Sequence, residues 1–153
     1  MDSIDFKIID ALKENSRSST SEISKRVSLS IPAVAERIRK MEEGNIIEKY
    51  TIKVNRDKMN YKLLAFIFVN IDRSENIENF RKSIIQYSSV LECHHVAGEY
   101  DYLLKVLVED TKALEYFVSN MLKKIKGVVK SNTIIALSSL KENINIGGEE
   151  GGF

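Results

Sequence analysis

The sequence lacks several features that would indicate particular classes of protein. Its 153 residues contain one cysteine, one proline, seven glycines and no tryptophan. A single cysteine excludes an internal disulfide framework. No apolar run approaches the roughly 20 residues that span a bilayer, and the first residues are acidic and polar, unlike a secretion signal. We therefore expect a cytoplasmic protein that does not associate with a membrane.

The net charge is only +1, so the charge of the chain as a whole does not indicate nucleic-acid binding. The charge is unevenly distributed, however. Between Lys13 and Met41, seven Lys or Arg residues stand against three Glu residues, which gives a local charge of +4. A local excess of this kind is typical of a small DNA-binding module, although most charge clusters are simply solvated helix faces. The seven cations are Lys13, Arg17, Lys25, Arg26, Arg37, Arg39 and Lys40.

Two short amphipathic helices are predicted at the start of the chain. Apolar residues at helical spacing predict a first helix over about residues 3–14. The sequence Ser19-Thr20-Ser21-Glu22 matches a capping box, in which a serine and a glutamate satisfy each other's backbone donors. It predicts a second helix over about residues 20–27.

A third helix, after the turn at residues 28–30, has one apolar face and one face of small and charged residues. Ser30 is placed to cap it, Pro32 lies in its first turn, and Gly44 is predicted to end it in the left-handed conformation. The predicted apolar face comprises Ile31, Val34, Ala35, Ile38 and Met41. The predicted outward face comprises Ala33, Glu36 and Lys40, with Arg37 and Arg39 on its flanks. Three helices with a three-residue turn between the last two make a helix-turn-helix.

We interpret the third helix as a DNA-recognition helix. Small side chains at its start let a helix enter a major groove about 12 Å wide, and long cations at its edges meet phosphates. Glu36 is ambiguous, because it either accepts from a cytosine amino group or, more commonly, pairs with Lys40 four residues on. The predicted DNA-binding residues are Arg17, Ser19, Ser30, Ile31, Pro32, Ala33, Glu36, Arg37 and Lys40.

The second half of the chain follows the pattern β-α-β-β-α-β. Strands are predicted over residues 63–71, 90–97, 102–109 and 128–138, and the second of the two helices is capped by Asp110 and ended by Gly127. This order is that of the ferredoxin-like unit, in which both helices pack on one face of an antiparallel sheet. The first strand is apolar almost throughout, which indicates that both of its faces are covered, most simply by a second copy of the protein.

The patterns predict an α+β fold with four segments. Residues 1–54 form a winged helix-turn-helix domain, in which the β-branched stretch 46–54 is a strand or extended wing. Residues 55–62 are a linker, and residues 63–140 form the ferredoxin-like domain. Residues 141–153 contain four of the seven glycines and are predicted to be a flexible tail.

The sequence Cys93-His94-His95 suggests a metal or catalytic site at first sight. Neighbouring side chains on a strand point to opposite faces, so only Cys93 and His95 can converge. Two ligands do not complete a zinc site, which normally needs four. We therefore expect sheet residues here, with no metal and no cofactor.

Together these residues make the chain resemble the Lrp/AsnC family of transcription regulators, over about residues 4–140. The residues that carry the resemblance are Asp5, Leu12, Asn15, Arg17, Glu22, Ile23, Leu29, Ser30, Val34, Arg37, Ile38, Gly44, Ile46, Ile47, Tyr50, Val96, Ala97, Gly98, Asp101, Tyr102 and Thr133. Ser28 departs from the pattern, since a glycine is common at this turn position.

The resemblance implies partners as well as a fold. It implies double-stranded DNA as a target, and a homodimer whose sheets pack together and which assembles further into a tetramer or octamer. It also implies a small-molecule effector, usually an amino acid, bound between subunits of the ferredoxin-like domain at Gly98, Glu99, Tyr100 and Asp101, with the region of Thr133 contributing. Taken as residues alone, this loop is equally well a plain hairpin turn, although a glycine allows close approach and a carboxylate suits an ammonium group.

Two other functions fit the same architecture. Sirohaem decarboxylases resemble it, and in such an enzyme His94 or His95 would be catalytic, but this chain lacks tryptophan and an arginine-rich pocket in its second half. An oligomerisation module that binds no DNA is the other alternative, against which the capped and cationic first half argues. We predict a sequence-specific transcription regulator that responds to a small metabolite and is not an enzyme.

Overall fold

The computed structural model describes residues 1–145, and the chain divides into two compact units. One unit contains Met1–Lys53 and the segment that begins at Lys141, and the other contains Val54–Leu140. Most of the predicted flexible tail, from residue 146 onward, lies outside the described residues. Within residues 1–145, no helix is both long enough and apolar enough to cross a membrane.

The first unit is a bundle of three short helices: α1 (Ser3–Glu14), α2 (Thr20–Val27) and α3 (Ile31–Glu43). These bounds confirm the predicted helices. A small apolar core holds the three helices together, and its buried members are Ile8, Ala11, Ile23, Val27, Val34 and Met41.

Side-chain caps start each helix of the first unit. The predicted capping box of α2 is present: Ser19 Oγ accepts from the Glu22 N–H at 3.2 Å, and the Glu22 carboxylate accepts from the Ser19 N–H at 2.7 Å. Ser30 Oγ accepts from the Ala33 N–H at the start of α3. A second capping box, formed by Asp2 and Asp5, starts α1 and was not predicted.

The helix ends differ from the prediction at one position. Gly44 caps α3 with φ −80° and is not left-handed, whereas Asn45 has φ 53°. The chain turns one residue later than predicted because the Gly44 N–H still bonds to the Lys40 carbonyl in the helical pattern. At the end of α2, Ser28 adopts φ 55°, a left-handed conformation that favours glycine, which accounts for glycine being common at this position.

Residues 46–54 are predicted to be a strand or an extended wing, and the strand is absent. No strand is present between α3 and residue 63, and the side chains of Tyr50, Ile52 and Val54 are exposed. β-branched composition gives only a preference for extended structure, and a strand also needs a partner that supplies a hydrogen-bonded ladder. Tyr50 is held instead by its hydroxyl, which donates to Glu42 Oε1 at 2.7 Å. Partial desolvation of the hydroxyl and this contact raise the pKa of Tyr50 to about 12.

The second unit is the ferredoxin-like domain. Its strands are β1 (Leu63–Ile71), β2 (Val90–His95), β3 (Tyr102–Val108) and β4 (Val128–Ile135). They form one antiparallel sheet in the order β2-β3-β1-β4. Helix α4 (Ser74–Ile84) follows β1, and helix α5 (Thr111–Tyr116) follows β3. The strands begin where predicted, and β2, β3 and β4 end one to three residues earlier.

Helix α5 is shorter than predicted. Asp110 caps it as expected, with its carboxylate accepting from the Ala113 N–H at 2.8 Å. The chain then continues as a π turn (Phe117–Met121) and a 3₁₀ turn (Leu122–Lys124) instead of a regular helix. The wider π turn changes the spacing of the buried side chains, which are Leu114, Phe117, Leu122 and Ile125.

The core of the second unit lies between the helices and one face of the sheet. On that face, the central strands contribute alternate buried side chains: Ala65, Ile67 and Val69 from β1, and Tyr102, Leu104, Val106 and Val108 from β3. The opposite face carries the intervening residues, and this open face includes Phe66, Phe68, Leu103 and Ile134. Neither helix of this unit packs against the open face.

Candidate nucleic-acid interface and ligand site

Helix α3 presents a continuous exposed stripe on the side opposite its core contacts. Its buried residues, Val34 and Met41, are seven residues apart and so lie on one side of the helix, two turns from each other. The residues exposed on the other side are Ser30, Ile31, Pro32, Ala35, Glu36, Arg39 and Lys40. The first turn of this stripe is short, apolar and uncharged, and its last turn carries the cations.

The apolar face of α3 is rotated relative to the prediction. Ile31 is 47% exposed and Ala35 is exposed, so both lie outside the core to which they were assigned, while Ala33 is half-buried. Successive residues are about 100° apart around a helix, so five apolar residues cover a wide arc. The sequence does not fix which of them lie at the centre of the buried face. The structure centres the core on Val34 and Met41, which adds Ala35 to the exposed stripe.

Five of the seven cations between Lys13 and Met41 already have anionic partners. Arg39 pairs with Glu36 at 2.7 Å and also with Glu43, and Lys40 lies 3.7 Å from Glu36. The Arg39 guanidinium, followed by the charge of Lys40, holds the pKa of Glu36 below its usual range. Glu36 therefore pairs within its own helix, which is the commoner of its two predicted roles. These contacts lower the positive potential of the stripe below what the residue count suggests.

Arg37 does not lie on the exposed stripe. Its guanidinium Nη1 donates to Asp2 Oδ2 at 2.8 Å and to Asp5 Oδ1 at 2.7 Å, both at the start of α1. The side chain is only 31% exposed. Hydrogen bonds to these two carboxylates raise the pKa of Arg37, so it is held on the side of α3 that faces α1.

Two cations of the local cluster remain available for phosphate. Arg17, before α2, and Lys25, in its last turn, are exposed and have no ion-pair partner among residues 1–145. Ser19 is also exposed, but its hydroxyl is engaged with Glu22. Lys25 is not among the predicted contacts; it lies one turn after Glu22 on the same side of α2, and, after the hydrogen bonds from Ser19, its charge helps to lower the pKa of Glu22.

The loop 98–101 of the second unit is bound firmly to the end of β1. The Ile71 N–H donates to Asp101 Oδ2 at 2.8 Å, and Asn70 Nδ2 donates to the Glu99 carbonyl at 2.8 Å. The rings of Tyr100 and Phe68 lie 5.2 Å apart. The carboxylate of Asp101 is therefore occupied by the backbone, which leaves Glu99 as the exposed carboxylate of the loop.

Lys130 on β4 is a residue of this site that was not predicted. Its Nζ lies 2.8 Å from Glu99 Oε1 and 4.9 Å from the centre of the Tyr100 ring. The Glu99 carboxylate raises the pKa of Lys130. The sequence does not indicate this contact, because Glu99 and Lys130 are far apart along the chain and meet only through the pairing of β4 with β1.

Thr133 was predicted to contribute to the same site, and the structure does not join it to the loop. It lies opposite Ile67 in the β1–β4 pair, three residues from Lys130, and therefore on the other face of the sheet. Within residues 1–145 it makes no hydrogen bond to residues 98–101.

The Cys93-His94-His95 sequence forms part of β2, as predicted. His95 stacks on Tyr102 at 5.1 Å, Cys93 packs against the core on the same face, and His94 Nε2 lies 3.1 Å from Glu92 on the other. Burial raises the pKa of the Cys93 thiol. Across residues 1–145, no group of three or more His, Cys, Asp or Glu side chains is arranged to hold a metal ion.

Comparison with known proteins adds two matches to family models. Residues 1–48 match a winged helix-turn-helix DNA-binding domain, and residues 64–146 match the Lrp/AsnC ligand binding domain. The two matches correspond to the two units described above.

Individual relatives match nearly the whole chain. The leucine-responsive regulatory protein of Klebsiella pneumoniae is 32% identical over 145 residues, covering 94% of this chain and 88% of its own length. An HTH-type transcriptional regulator of Pyrococcus horikoshii is 33% identical over 146 residues, covering 94% and 97%. The crystal structure of a Neisseria meningitidis transcriptional regulator in complex with L-Met is 31% identical, covers 96% of each chain and superimposes with a TM-score of 0.92.

Proposed function

Because the chain belongs to the Lrp/AsnC family of transcription regulators, we propose that it binds specific DNA sites as a homodimer or larger assembly and that an amino acid modulates this binding. The relatives are named as regulators, so the family is not one of enzymes and the decarboxylase alternative is set aside. The observation that carries the proposal is the exposed, capped and uncharged first turn of α3. We place its activity in the cytoplasm.

The start of α3 is the proposed base-reading element. Ser30, Ile31 and Pro32 are exposed at the helix N-terminus, and half-buried Ala33 completes the short-chain surface. A helix end without long side chains can approach base edges in the major groove closely. Ala35 and Lys40 extend this contact along the exposed stripe, and Glu36 limits it by adding negative charge. So short a reading surface recognises few bases, which makes the spacing of two copies part of the specificity.

Arg17, Lys25 and Ser19 are the proposed phosphate contacts at the start and end of α2. Contacts of this kind fix the register of a helix on the duplex and carry no sequence information. Each phosphate that a cation neutralises releases counterions, so its contribution is visible in the salt dependence of binding. This property distinguishes a phosphate contact from a structural ion pair.

Replacing Arg17 and Lys25 together by glutamine is expected to weaken binding to DNA by about tenfold or more near 0.1 M salt. The slope of log K against log salt is expected to become shallower by about 0.9 for each lost contact. Fluorescence anisotropy with DNA from upstream of the protein's own coding sequence, titrated at several salt concentrations, measures both quantities.

The matched control replaces Lys112 and Lys126, which are exposed residues of the second unit without an ion-pair partner among residues 1–145, by glutamine. It removes the same charge and is expected to leave the slope unchanged. Equal losses in both double variants would mean that binding follows net charge and not this surface. Failure of the wild-type chain to bind any DNA at low salt would overturn the proposed function.

The proposed effector site lies at the loop 98–101, between Glu99 and Lys130. An amino acid carries an ammonium and a carboxylate on one carbon, and these are the counterparts of the two side chains that form this ion pair. A zwitterion that enters between them satisfies both charges, while Tyr100 and Phe68 offer aromatic surface to a side chain. The L-Met complex of the Neisseria relative supports an amino acid as the ligand class.

Lys130→Met is expected to weaken the binding of such an amino acid by about tenfold or more, since a hydrogen bond to a charged group contributes about 1.5–3 kcal/mol. Isothermal titration with L-methionine and with L-leucine measures the affinity directly. The matched control is Lys82→Met, which removes a lysine paired with Glu78 at 3.4 Å on the exposed side of α4. Unchanged affinity in Lys130→Met would remove Lys130 from the site, and no binding of either amino acid by the wild type would contradict this effector class.

A further inference from the structure

Arg37 is bound in a way that does not suit a DNA contact. One guanidinium nitrogen, Nη1, bridges two carboxylates, those of Asp2 at 2.8 Å and Asp5 at 2.7 Å. Arg37 is 31% exposed and Asp5 only 14%, so the cluster is partly removed from water. Within residues 1–145, the Nε and Nη2 donors of Arg37 make no hydrogen bond, but a phosphate bound there would lie beside two carboxylates that repel it.

The two carboxylates also organise the start of α1. Asp2 accepts from the Asp5 N–H at 3.0 Å, and Asp5 Oδ2 accepts from the Asp2 N–H at 2.9 Å, which is a capping box. The Asp5 N–H and then the Arg37 guanidinium keep the pKa of Asp2 below its usual range. One cluster of three side chains therefore fixes the first turn of α1 and ties it to the middle of α3.

The position of Arg37 on α3 explains why its contacts with Asp2 and Asp5 affect the orientation of the helix. Arg37 follows buried Val34 by three residues and half-buried Ala33 by four, so it lies at the edge between the buried face of α3 and the exposed stripe. Rotation of α3 about its own axis would expose Val34 and Met41, and the contacts of Arg37 add a second, off-centre restraint on that rotation. Such a rotation would turn Ser30, Ile31 and Pro32 out of register with base edges.

We propose that Arg37 is a positioning residue, which sets the orientation of α3 through Asp2 and Asp5 and does not itself contact DNA. This inference rests on the proposed binding of DNA by α3. It assigns a role in binding to Asp2 and Asp5, two acidic residues that simple electrostatics would count as unfavourable for DNA.

A phosphate contact and a positioning role for Arg37 predict opposite changes in DNA affinity for Asp5→Asn. If Arg37 contacts phosphate, this change releases it and removes a negative charge near the duplex, so binding tightens. If Arg37 positions α3, the change weakens the contact between Arg37 and α1, and binding to DNA weakens. We expect the affinity of Asp5→Asn to fall by about threefold to tenfold and that of Arg37→Ala by about tenfold, with the double variant no weaker than Arg37→Ala, because the two residues act through one contact.

The salt dependence supplies a readout that is independent of affinity. All three variants are expected to keep the wild-type slope of log K against log salt, since no phosphate contact is lost, and Arg37→Lys is expected to restore part of the affinity. Glu14→Gln is the matched control: it breaks an exposed ion pair between α1 and α2, to Arg26, and also removes one negative charge. It is expected to leave DNA affinity unchanged or slightly tighter.

Thermal unfolding of each variant establishes that it is folded at the assay temperature. If Asp5→Asn is not folded there, Asp2→Asn carries the same test, because the Asp2 side chain is 53% exposed and is lost at less structural cost. Tighter binding by the aspartate variant, or a slope about 0.9 shallower in Arg37→Ala, would overturn the inference while the wild type still binds DNA. Absence of binding by the wild type would overturn the proposed function itself, and this inference with it.

Discussion

Replacing Gly127 by alanine is expected to destabilise the second unit by roughly 2–5 kcal/mol. Gly127 has φ 96°, where a side chain is strained by about 1–2 kcal/mol. A Cβ at this position would also lie 2.5 Å from Cβ of Asn76, which is buried, and relieving such a clash typically costs about 1–3 kcal/mol. The clash cannot be relieved locally, because Asn76 Nδ2 is bonded to Asp72 and the Asp72 N–H donates to the Gly127 carbonyl at 2.9 Å.

Thermal and urea unfolding measure this loss, which corresponds to a fall in Tm of about 10 °C or more for a unit of this size. Gly44→Ala is the matched control, because this substitution adds the same methyl group at a residue whose φ of −80° is not left-handed. Its effect is expected to stay within about 1 kcal/mol. Equal stability of Gly127→Ala and the wild type would show that the turn before β4 rearranges, contrary to the packing described above.

The elements of the fold could be predicted because each carries its own local signal. The capping pairs Ser19 and Glu22, and Ser30 with Pro32, place the starts of α2 and α3 without any knowledge of tertiary contacts. Asp110 and Gly127 delimit the segment around α5 in the same way. The apolar runs of β1 and β3 predict strands, and the pairing of the strands shows that both are central in the sheet.

The errors arise where a tertiary contact decides between local alternatives. The stretch 46–54 has the composition of a strand but has no partner strand, so propensity alone could not decide between a strand and an extended wing. The π turn after Tyr116 depends on how Phe117 and Leu122 both reach the core, which the helical period does not encode. The choice of Asn45 over Gly44 for the left-handed residue likewise depends on one hydrogen bond.

The candidate sites follow the same rule. The exposed start of α3 was predicted from its cap and its small residues, because both are local features. The sequence does not show that Arg37 is paired, because Asp2 and Asp5 lie more than thirty positions earlier in the chain. Lys130 was missed because it meets Glu99 only through the sheet. Charge counts along a sequence therefore overestimate the cations available to a ligand, and the structure shows which of them are already paired.

Substituting Ile134 by glutamate is expected to raise the dissociation constant of the proposed homodimer by about 100-fold or more. The open face of the second unit carries the side chains of Phe66, Phe68, Leu103 and Ile134, and Ile134 lies opposite Phe66 in the β1–β4 pair. A largely apolar face of this kind indicates a partner, and the same face on a second copy offers apolar surface to cover it. Burial of an unpaired carboxylate there costs several kcal/mol, and each 1.4 kcal/mol is about tenfold in affinity.

Because Ile134 is already 49% exposed in a single chain, the substitution costs the folded monomer little, and a change of mass reports association and not unfolding. Sedimentation velocity over a range of concentrations is expected to give at least twice the chain mass of 17.4 kDa for the wild type and a monomer for Ile134→Glu. Ile85→Glu is the matched control, since Ile85 is 67% exposed at the end of α4, on the other side of the sheet. Dissociation by Ile85→Glu and not by Ile134→Glu would place the dimer interface on the helices. The spacing between two copies of α3 would then be set by that interface and not by the open face.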